Sequence, residues 1–344
     1  MDKSNWFTYD LSVLKKNLDQ KNLKIVIISH RNPDGDAIGS MTGLYNVLIK
    51  KGYEVNMIVP NEFPSFLKWL PGAKKIQIFS NNTENAGKLL KNADMIFALD
   101  FNDLSRVREF QENVSGSSSY KIIIDHHPEP GNLADLIISN TTVSSTAELV
   151  YILLLAMEYG DLIDKDVATC IYAGIMTDTG CFSFNSSRPE TFQVVSDLLN
   201  HGIEKDKIYG KIYDNFSFNR MRLMGYCLNN KMQHLPEYRT AYLSLSAQEL
   251  KEYKFGIGDS EGFVNLPLSI DGVIFSALFI ENKDRIKISF RSKGTFAVNK
   301  ICAEHFNGGG HLNASGGESF DTLQNTVDKF VRLLPKYTDD LHKD

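Results

Sequence analysis

Ile25-Val26-Ile27-Ile28-Ser29-His30-Arg31-Asn32-Pro33-Asp34-Gly35-Asp36-Ala37-Ile38-Gly39-Ser40 decides how the chain is read. A short β-branched apolar run passes into a polar turn with one histidine and two aspartates. It then runs through Gly39 into the helical pattern of Met41 to Lys50, giving strand, loop and helix. In an open α/β sheet, ligands bind beyond the carboxyl ends of the strands, where this loop falls. Asp34 and Asp36 are two residues apart, and in extended chain that spacing turns both carboxylates to one side. Their repulsion is relieved by a proton or a cation, and His30 just upstream favours the cation. Asp-Gly-Asp is also ordinary turn chemistry, so the loop alone does not decide.

The 344 residues suffice for two domains at about 150 residues each. With 42% hydrophobic and 23% charged residues, the composition is that of a globular protein with large cores. A net charge of −5 excludes a broad basic surface that grips long-duplex nucleic acid, while a small anion in a local basic pocket is compatible with it. Cys170, Cys181, Cys227 and Cys302 show no C-x-x-C spacing, so neither a zinc knuckle nor a disulfide framework is expected, and free thiols fit a reducing compartment. Met1 to Asn5 lack a signal-peptide pattern, and no apolar run approaches the about 18 residues of a membrane span. The expectation is a cytoplasmic protein with no membrane association.

Working outward, Trp6 to Asn22 carries Leu11, Leu14 and Leu18 at helical spacing. After the first strand–loop–helix come strands at Tyr53 to Val59 and Lys75 to Phe79, a helix from Ala86 to Lys91, and the strand Met95 to Leu99, which runs into Asp100. A helical Leu104 to Asn113 precedes Lys121-Ile122-Ile123-Ile124-Asp125-His126-His127-Pro128, a second apolar run closed by ionisable residues. Helices follow over Ser145 to Tyr159, Lys165 to Met176 (ending at Thr177-Asp178-Thr179-Gly180) and Arg188 to His201. Strands alternating with helices predict a doubly wound, mainly parallel sheet with helices on both faces over residues 1–201. Residues 202–231 read as a helical connector. From 232 to 344 the pattern is a smaller α/β domain: strands at Ala241 to Ser246 and Gly272 to Asn282, the half-exposed alternation Arg285 to Arg291, a helix at Val298 to Phe306, a glycine-rich loop from Gly308 to Gly317, and a terminal helix from Thr322 to Leu334. A cleft between the two domains is expected.

Four separated loops thus carry candidate ligands: His30, Asp34 and Asp36; Asp100; Asp125, His126 and His127; and Asp178. Three follow directly on apolar strands whose ends would converge at one sheet edge. Taken singly, Asp100 reads as a helix cap and Asp178 as a turn former. Recurrence of the same chemistry at strand ends points to a metal site.

The set resembles the DHH phosphoesterase family, named for the Asp-His-His triplet that stands here as Asp125-His126-His127. His-x-x-x-Asp-x-Asp is present as His30, Asp34 and Asp36, the isolated strand-end acid as Asp100, and the later acid as Asp178. Gly308-Gly309-Gly310-His311 resembles the signature of the DHH-associated C-terminal domain. The resemblance implies two divalent metal ions, with Mn²⁺ preferred over Mg²⁺. His30, Asp34 and Asp100 would hold the first, and Asp36, Asp100, His126 and Asp178 the second, with Asp100 bridging. It further implies His127 as donor or general acid toward the phosphate and Asp125 as its orienting partner. Arg106 would be a phosphate contact, although a surface salt bridge explains it nearly as well. In the C-terminal domain the glycine run, His311, Arg291 and Ser315 would bind substrate. Ser144, Ser145 and Thr146 look like the family's helix-start motif, with N-capping as the alternative.

Within the family, the likeness is to the small two-domain oligoribonuclease type (NrnA-like). The implied substrates are short RNA oligonucleotides, degraded from an end to nucleoside monophosphates, and 3′-phosphoadenosine 5′-phosphate (pAp). A phosphodiesterase of pApA or cyclic di-AMP is the alternative; a RecJ-like exonuclease on single-stranded DNA and a non-catalytic nucleotide sensor rank below it. Monomer and homodimer are both compatible with the chain.

Overall fold

The computed structural model describes Trp6, residues 8–128, Gly131 and residues 134–343. Met1 to Asn5, on which the signal-peptide reading rests, lie outside the described residues. Two compact units divide at Asn215 and Phe216, inside the segment 202–231 expected to be a connector. That segment is not free-standing: Ile208 and Ile212 are buried in the first unit's core, Leu223 and Cys227 in the second's.

The first unit runs α1 (Ser12–Leu18), β1 (Lys24–Ser29), α2 (Gly35–Lys50), β2 (Glu54–Val59), β3 (Ile76–Ile78), α3 (Thr83–Lys91), β4 (Met95–Leu99), α4 (Gln111–Ser115), β5 (Tyr120–Asp125), β6 (Leu136–Ser139), α5 (Thr146–Ala156), α6 (Lys165–Asp178), α7 (Pro189–Asn200) and α8 (Lys205–Tyr213). Its sheet has the order β3-β2-β1-β4-β5-β6, with every pairing parallel. Alternate strand residues face opposite layers, as a period of two requires. Ile25, Ile27, Phe97 and Ile124 share a core with α2, α5 and α6, whereas Val26, Ile28, Ile96 and Ile123 meet Leu90, Phe110 and Val114 on the other side. Each such buried side chain contributes about 1.5–3 kcal/mol.

Three local expectations change. The leading helix is confined to Ser12–Leu18. Leu104 to Phe110 forms 3₁₀ turns before α4, broken at Val107, whose φ of −127° is not helical. The edge strand β6 was not anticipated, because its four residues are too short a run to show alternation.

The second unit runs α9 (Phe218–Tyr226), β7 (Gln233–Leu235), β8 (Thr240–Leu245), α10 (Ala247–Glu252), β9 (Phe275–Glu281), β10 (Ile286–Ser292), α11 (Val298–His305), β11 (Gly309–His311), β12 (Ala314–Ser319), α12 (Leu323–Leu333) and α13 (Thr338–Leu341). Its mixed sheet, ordered β11-β12-β10-β9-β8-β7, is antiparallel except between β8 and β9. Phe275, Phe279, Phe290, Phe306 and Phe330 fill one core. The stretch expected as a glycine-rich loop is instead a hairpin, β11 against β12. Among the described residues no helix is long and apolar enough to cross a membrane.

Candidate metal centre

The strand order of the first unit reverses between β1 and β4, and such a switch point opens a crevice at the strands' carboxyl ends. Ser29 pairs with Leu99 and Leu99 with Ile124, so His30, Asp100 and Asp125 emerge from three adjacent strands at one level. Two bonds pin that edge: the Ser29 hydroxyl donates to the Leu99 carbonyl at 2.8 Å, and the Asp100 amide donates to the Ile124 carbonyl at 3.1 Å.

The two aspartates of the first loop part company. Helix α2 starts at Gly35, so Asp34 is its N-cap, exposed, with Oδ1 accepting from the Asp36 and Ala37 amides at 3.0 Å. Asp36 lies inside the first turn and is buried. The extended-chain reading of this pair is therefore corrected: helical backbone separates the two carboxylates. Asp36 is held by the opposite helix start, accepting from the Thr146 amide at 2.7 Å and the Ala147 amide at 2.8 Å. Asp178 is also relocated, from a loop to the last residue of α6. Helices α2 and α6 touch backbone to backbone there. A Cβ on Gly39 would come 2.6 Å from the Cys170 carbonyl oxygen and 2.8 Å from the Gly174 Cα, and one on Gly174 would come 2.5 Å from the Ala147 Cβ of α5.

The result is two adjoining donor groups. Ligating atoms of His30, Asp34 and Asp100 lie within 4.8 Å of one another, as do those of Asp36, His126 and Asp178. His30 Nε2 is 3.2 Å from Asp100 Oδ2. His126 Nε2 is 3.6 Å from Asp100 Oδ1, 3.5 Å from Asp178 Oδ2 and 3.9 Å from Asp36 Oδ2, so Asp100 faces both groups. Asp100 has φ +65°, a left-handed conformation, and its Oδ1 accepts the Thr146 hydroxyl at 3.0 Å.

Burial, then the charges of Asp100 and Asp34, holds the Asp36 carboxyl well above the ordinary carboxylate range, against the Thr146 and Ala147 bonds. Burial, then the charge of Asp34, raises Asp100 likewise. Burial lowers the His30 imidazole, so it is kept neutral, with Nε2 a potential ligand. Buried carboxylates that raise one another, ringed by imidazole nitrogens, suit a divalent cation, and mixed O and N donors suit Mn²⁺ more than an all-oxygen set would. The residues present fit the metal pair.

A family model for the DHH family, N-terminal domain, matches residues 24–175, and one for the DHHA1 domain matches residues 246–338. The bifunctional oligoribonuclease and PAP phosphatase NrnA of Thermus thermophilus is 32% identical over 297 residues, covering 85% of this chain and 83% of that protein. The chain belongs to the DHH family. It is a hydrolase acting on phosphoester bonds. The crystal structure of an exopolyphosphatase-related protein from Bacteroides fragilis is similar at 47% identity, with a TM-score of 0.91 over 97% of each chain. RecJ from Thermus thermophilus, crystallised with Mn²⁺, shares the fold at 14% identity and a TM-score of 0.54, over 96% of this chain and 54% of RecJ.

The triplet that names the DHH family divides its work. His126 faces Asp36, Asp100 and Asp178, whereas His127 Nδ1 lies 2.7 Å from Asp125 Oδ1 and 3.7 Å from Asp100 Oδ1. Burial alone would raise the Asp125 carboxyl, but the bond and charge of His127 and the charge of His126 outweigh it and hold it below its usual range. Arg106 is half-buried, and its charge is felt at His30. In the second unit, Arg291 pairs with Ala314 across β10 and β12, and its Nη1 donates to the Phe290 carbonyl at 2.9 Å. His311 ends β11, and Ser315 is buried on β12. The glycines are steric: a Cβ on Gly308 would fall 2.0 Å from the Gly316 carbonyl oxygen, and Gly310 has φ +139°.

Sequence reasoning placed Thr146 only in a helix-start motif; its amide and hydroxyl hold Asp36 and Asp100. It missed Glu148 altogether. That buried carboxylate accepts from the Ser144 amide at 2.9 Å, the Ser144 hydroxyl at 2.6 Å and the Thr191 hydroxyl at 2.9 Å, anchoring the start of α5. An acid three residues after the N-cap Ser145 was the available signal, although Glu148 bonds Ser144 instead of closing a capping box.

Proposed function

We propose that this DHH protein hydrolyses short oligoribonucleotides from an end to nucleoside monophosphates and removes the 3′-phosphate of pAp. The observation that carries the reading is the pair of donor groups meeting at Asp100, in a chain similar over most of its length to a protein named for both activities. His30, Asp34 and Asp100 would hold one divalent cation, and Asp36, Asp100, His126 and Asp178 a second, Mn²⁺ being favoured over Mg²⁺. Such a pair supplies charge for the phosphoryl oxygens and lowers the pKa of water toward neutrality.

The protein's own groups do the rest. Asp125 fixes His127 with its proton on Nδ1, leaving Nε2 to donate toward a phosphate or leaving oxygen once protonated. Thr146 and Ala147 hold Asp36 so that its carboxylate keeps its orientation. Arg106 adds positive charge beside His30. In the second unit Arg291, His311, Ser315 and the backbone of Gly308, Gly309 and Gly310 bind the nucleotide, Gly309 having no protein atom within 4 Å of where a Cβ would stand.

The test is product analysis with Mn²⁺ on an end-labelled RNA ladder, pAp and cyclic di-AMP. Rapid loss of the shortest RNAs with release of monophosphates, together with phosphate from pAp, is expected. Degradation of long RNA at the same rate, or cleavage of cyclic di-AMP alone, would overturn the assignment. His311→Ala should raise KM for a dinucleotide more than for bis-p-nitrophenyl phosphate, and equal losses on both would make the hairpin structural.

A further inference from the structure

One exposed aromatic ring, on the turn that follows Asp178 in the chain, has no part in holding the cluster. After Asp178 the chain leaves α6 through Thr179-Gly180-Cys181-Phe182-Ser183-Phe184-Asn185. Gly180, Cys181 and Phe182 take φ of +53°, +56° and +65°, and Asn185 takes +48°; non-glycine residues keep such backbone only where their surroundings enforce it. The enforcement is visible. The Cys181 amide donates to the Met176 carbonyl at 2.8 Å, the Phe182 amide to the Thr179 hydroxyl at 3.0 Å, and the Ser183 amide to the Thr179 carbonyl at 2.9 Å. Asn185 Nδ2 donates to the Ser144 carbonyl at 3.2 Å, tying the loop to the segment ahead of α5.

This backbone sends its two phenylalanines to different environments. The Phe182 ring packs between Tyr172 (6.1 Å between centroids) and Phe192 (5.7 Å). Phe184 is 48% exposed. A Cβ on Gly180 would lie 2.3 Å from Phe184 Cε1, so the ring rests on the glycine's bare Cα, two residues from Asp178. The Asp178 side chain is itself 27% exposed, so carboxylate and ring both reach solvent from one turn of chain. Phe192, 50% exposed, sits on α7 against Phe182, and Phe218 and Phe320 lie in the second unit; Phe184 belongs to the turn that directly follows Asp178.

We infer that Phe184 is a stacking platform for the nucleobase of the nucleotide whose phosphate is bound by the cation that Asp178 and His126 would hold. The inference rests on the nucleotide reading above and extends it with a base subsite in the first unit. Stacking on an aromatic side chain is tolerant of base identity, which suits an enzyme that consumes short RNA irrespective of sequence. The loop holds the ring in place before substrate arrives, so little conformational freedom is lost on binding.

Calorimetric titration of the Mn²⁺-loaded protein with AMP and with ribose 5-phosphate measures what the base adds without requiring turnover. The wild-type protein should bind AMP more tightly, and Phe184→Ala should cut the ratio of the two dissociation constants by about tenfold while leaving ribose 5-phosphate unaffected. Phe184→Trp should preserve the ratio. An unchanged ratio in Phe184→Ala, an equal loss for both ligands, or a wild-type protein that does not distinguish the two would overturn the inference. Hydrolysis of dinucleotides is scored separately: a Phe184-dependent ratio in a protein that leaves short RNA intact would retain the base subsite and refute the oligoribonuclease reading.

Discussion

Asp100→Asn deletes one charge from the cluster with the least other disturbance. Asparagine tolerates the left-handed φ of +65° found here, and its amide oxygen can still accept the Thr146 hydroxyl. In the metal-free protein both Asp100 and Asp36 are raised, chiefly by burial and then by neighbouring acids. A carboxyl raised by folding binds its proton more firmly in the native state than in the unfolded chain. It therefore favours the fold in acid, and that contribution is lost as pH climbs from the ordinary carboxylate value through the raised one. Two unit charges about 4 Å apart at an effective dielectric of about 20 repel by about 4 kcal/mol. Allowing about half for residual protonation and the facing imidazoles leaves about 2 kcal/mol, or about 4–8 °C in Tm for a unit of this size. Thermal denaturation in chelator over about pH 5 to 8 should show Asp100→Asn gaining on wild type as pH rises and melting higher at the alkaline end; the lowered His30 imidazole favours the fold with rising pH in both proteins and drops out of the difference. With Mn²⁺ at about 100 times Kd the order should reverse. Wild type gains about 2.7 kcal/mol, and the variant, having lost the carboxylate that faces both donor groups, gains little. A variant that melts lower without metal and gains as much from Mn²⁺ would refute both the charge-repulsion argument and the shared role of Asp100.

Thr146→Val keeps shape while removing the 3.0 Å bond to Asp100; activity should fall about 10- to 100-fold in a steady-state phosphodiesterase assay, with Mn²⁺ demand raised. Gly308→Ala places a Cβ 2.0 Å from the Gly316 carbonyl, backbone that has no rotamer to yield. It should destabilise the second unit by about 1–3 kcal/mol, read as a lowered melting transition, while metal binding in the first unit is kept.

Apolar runs ending in ionisable residues were legible in the sequence because a parallel strand buried on both faces must be continuously apolar, and its first polar residue marks the strand's end. His30, Asp100 and Asp125 could thus be placed at one sheet edge from spacing alone, and the motif order from His30 to Gly310 carried the family. What the linear pattern could not carry was local backbone state. Asp34 and Asp36 look equivalent in sequence, yet the helix starting at Gly35 exposes one and buries the other. Asp178 follows an apolar helical run that simply continues through it. The glycine run reads as flexible, but pairing with Ala314 to Gly316 makes it a strand. Thr146 and Glu148 matter through partners 46 and 43 residues away in sequence, Asp100 and Thr191. Sequence determined which chemical groups this protein possesses and which strand ends carry them, because burial periodicity is local. Only tertiary structure decided which carboxylates share a dry space and what holds them there, because that depends on helices α2, α5 and α6 meeting at the switch point of the sheet.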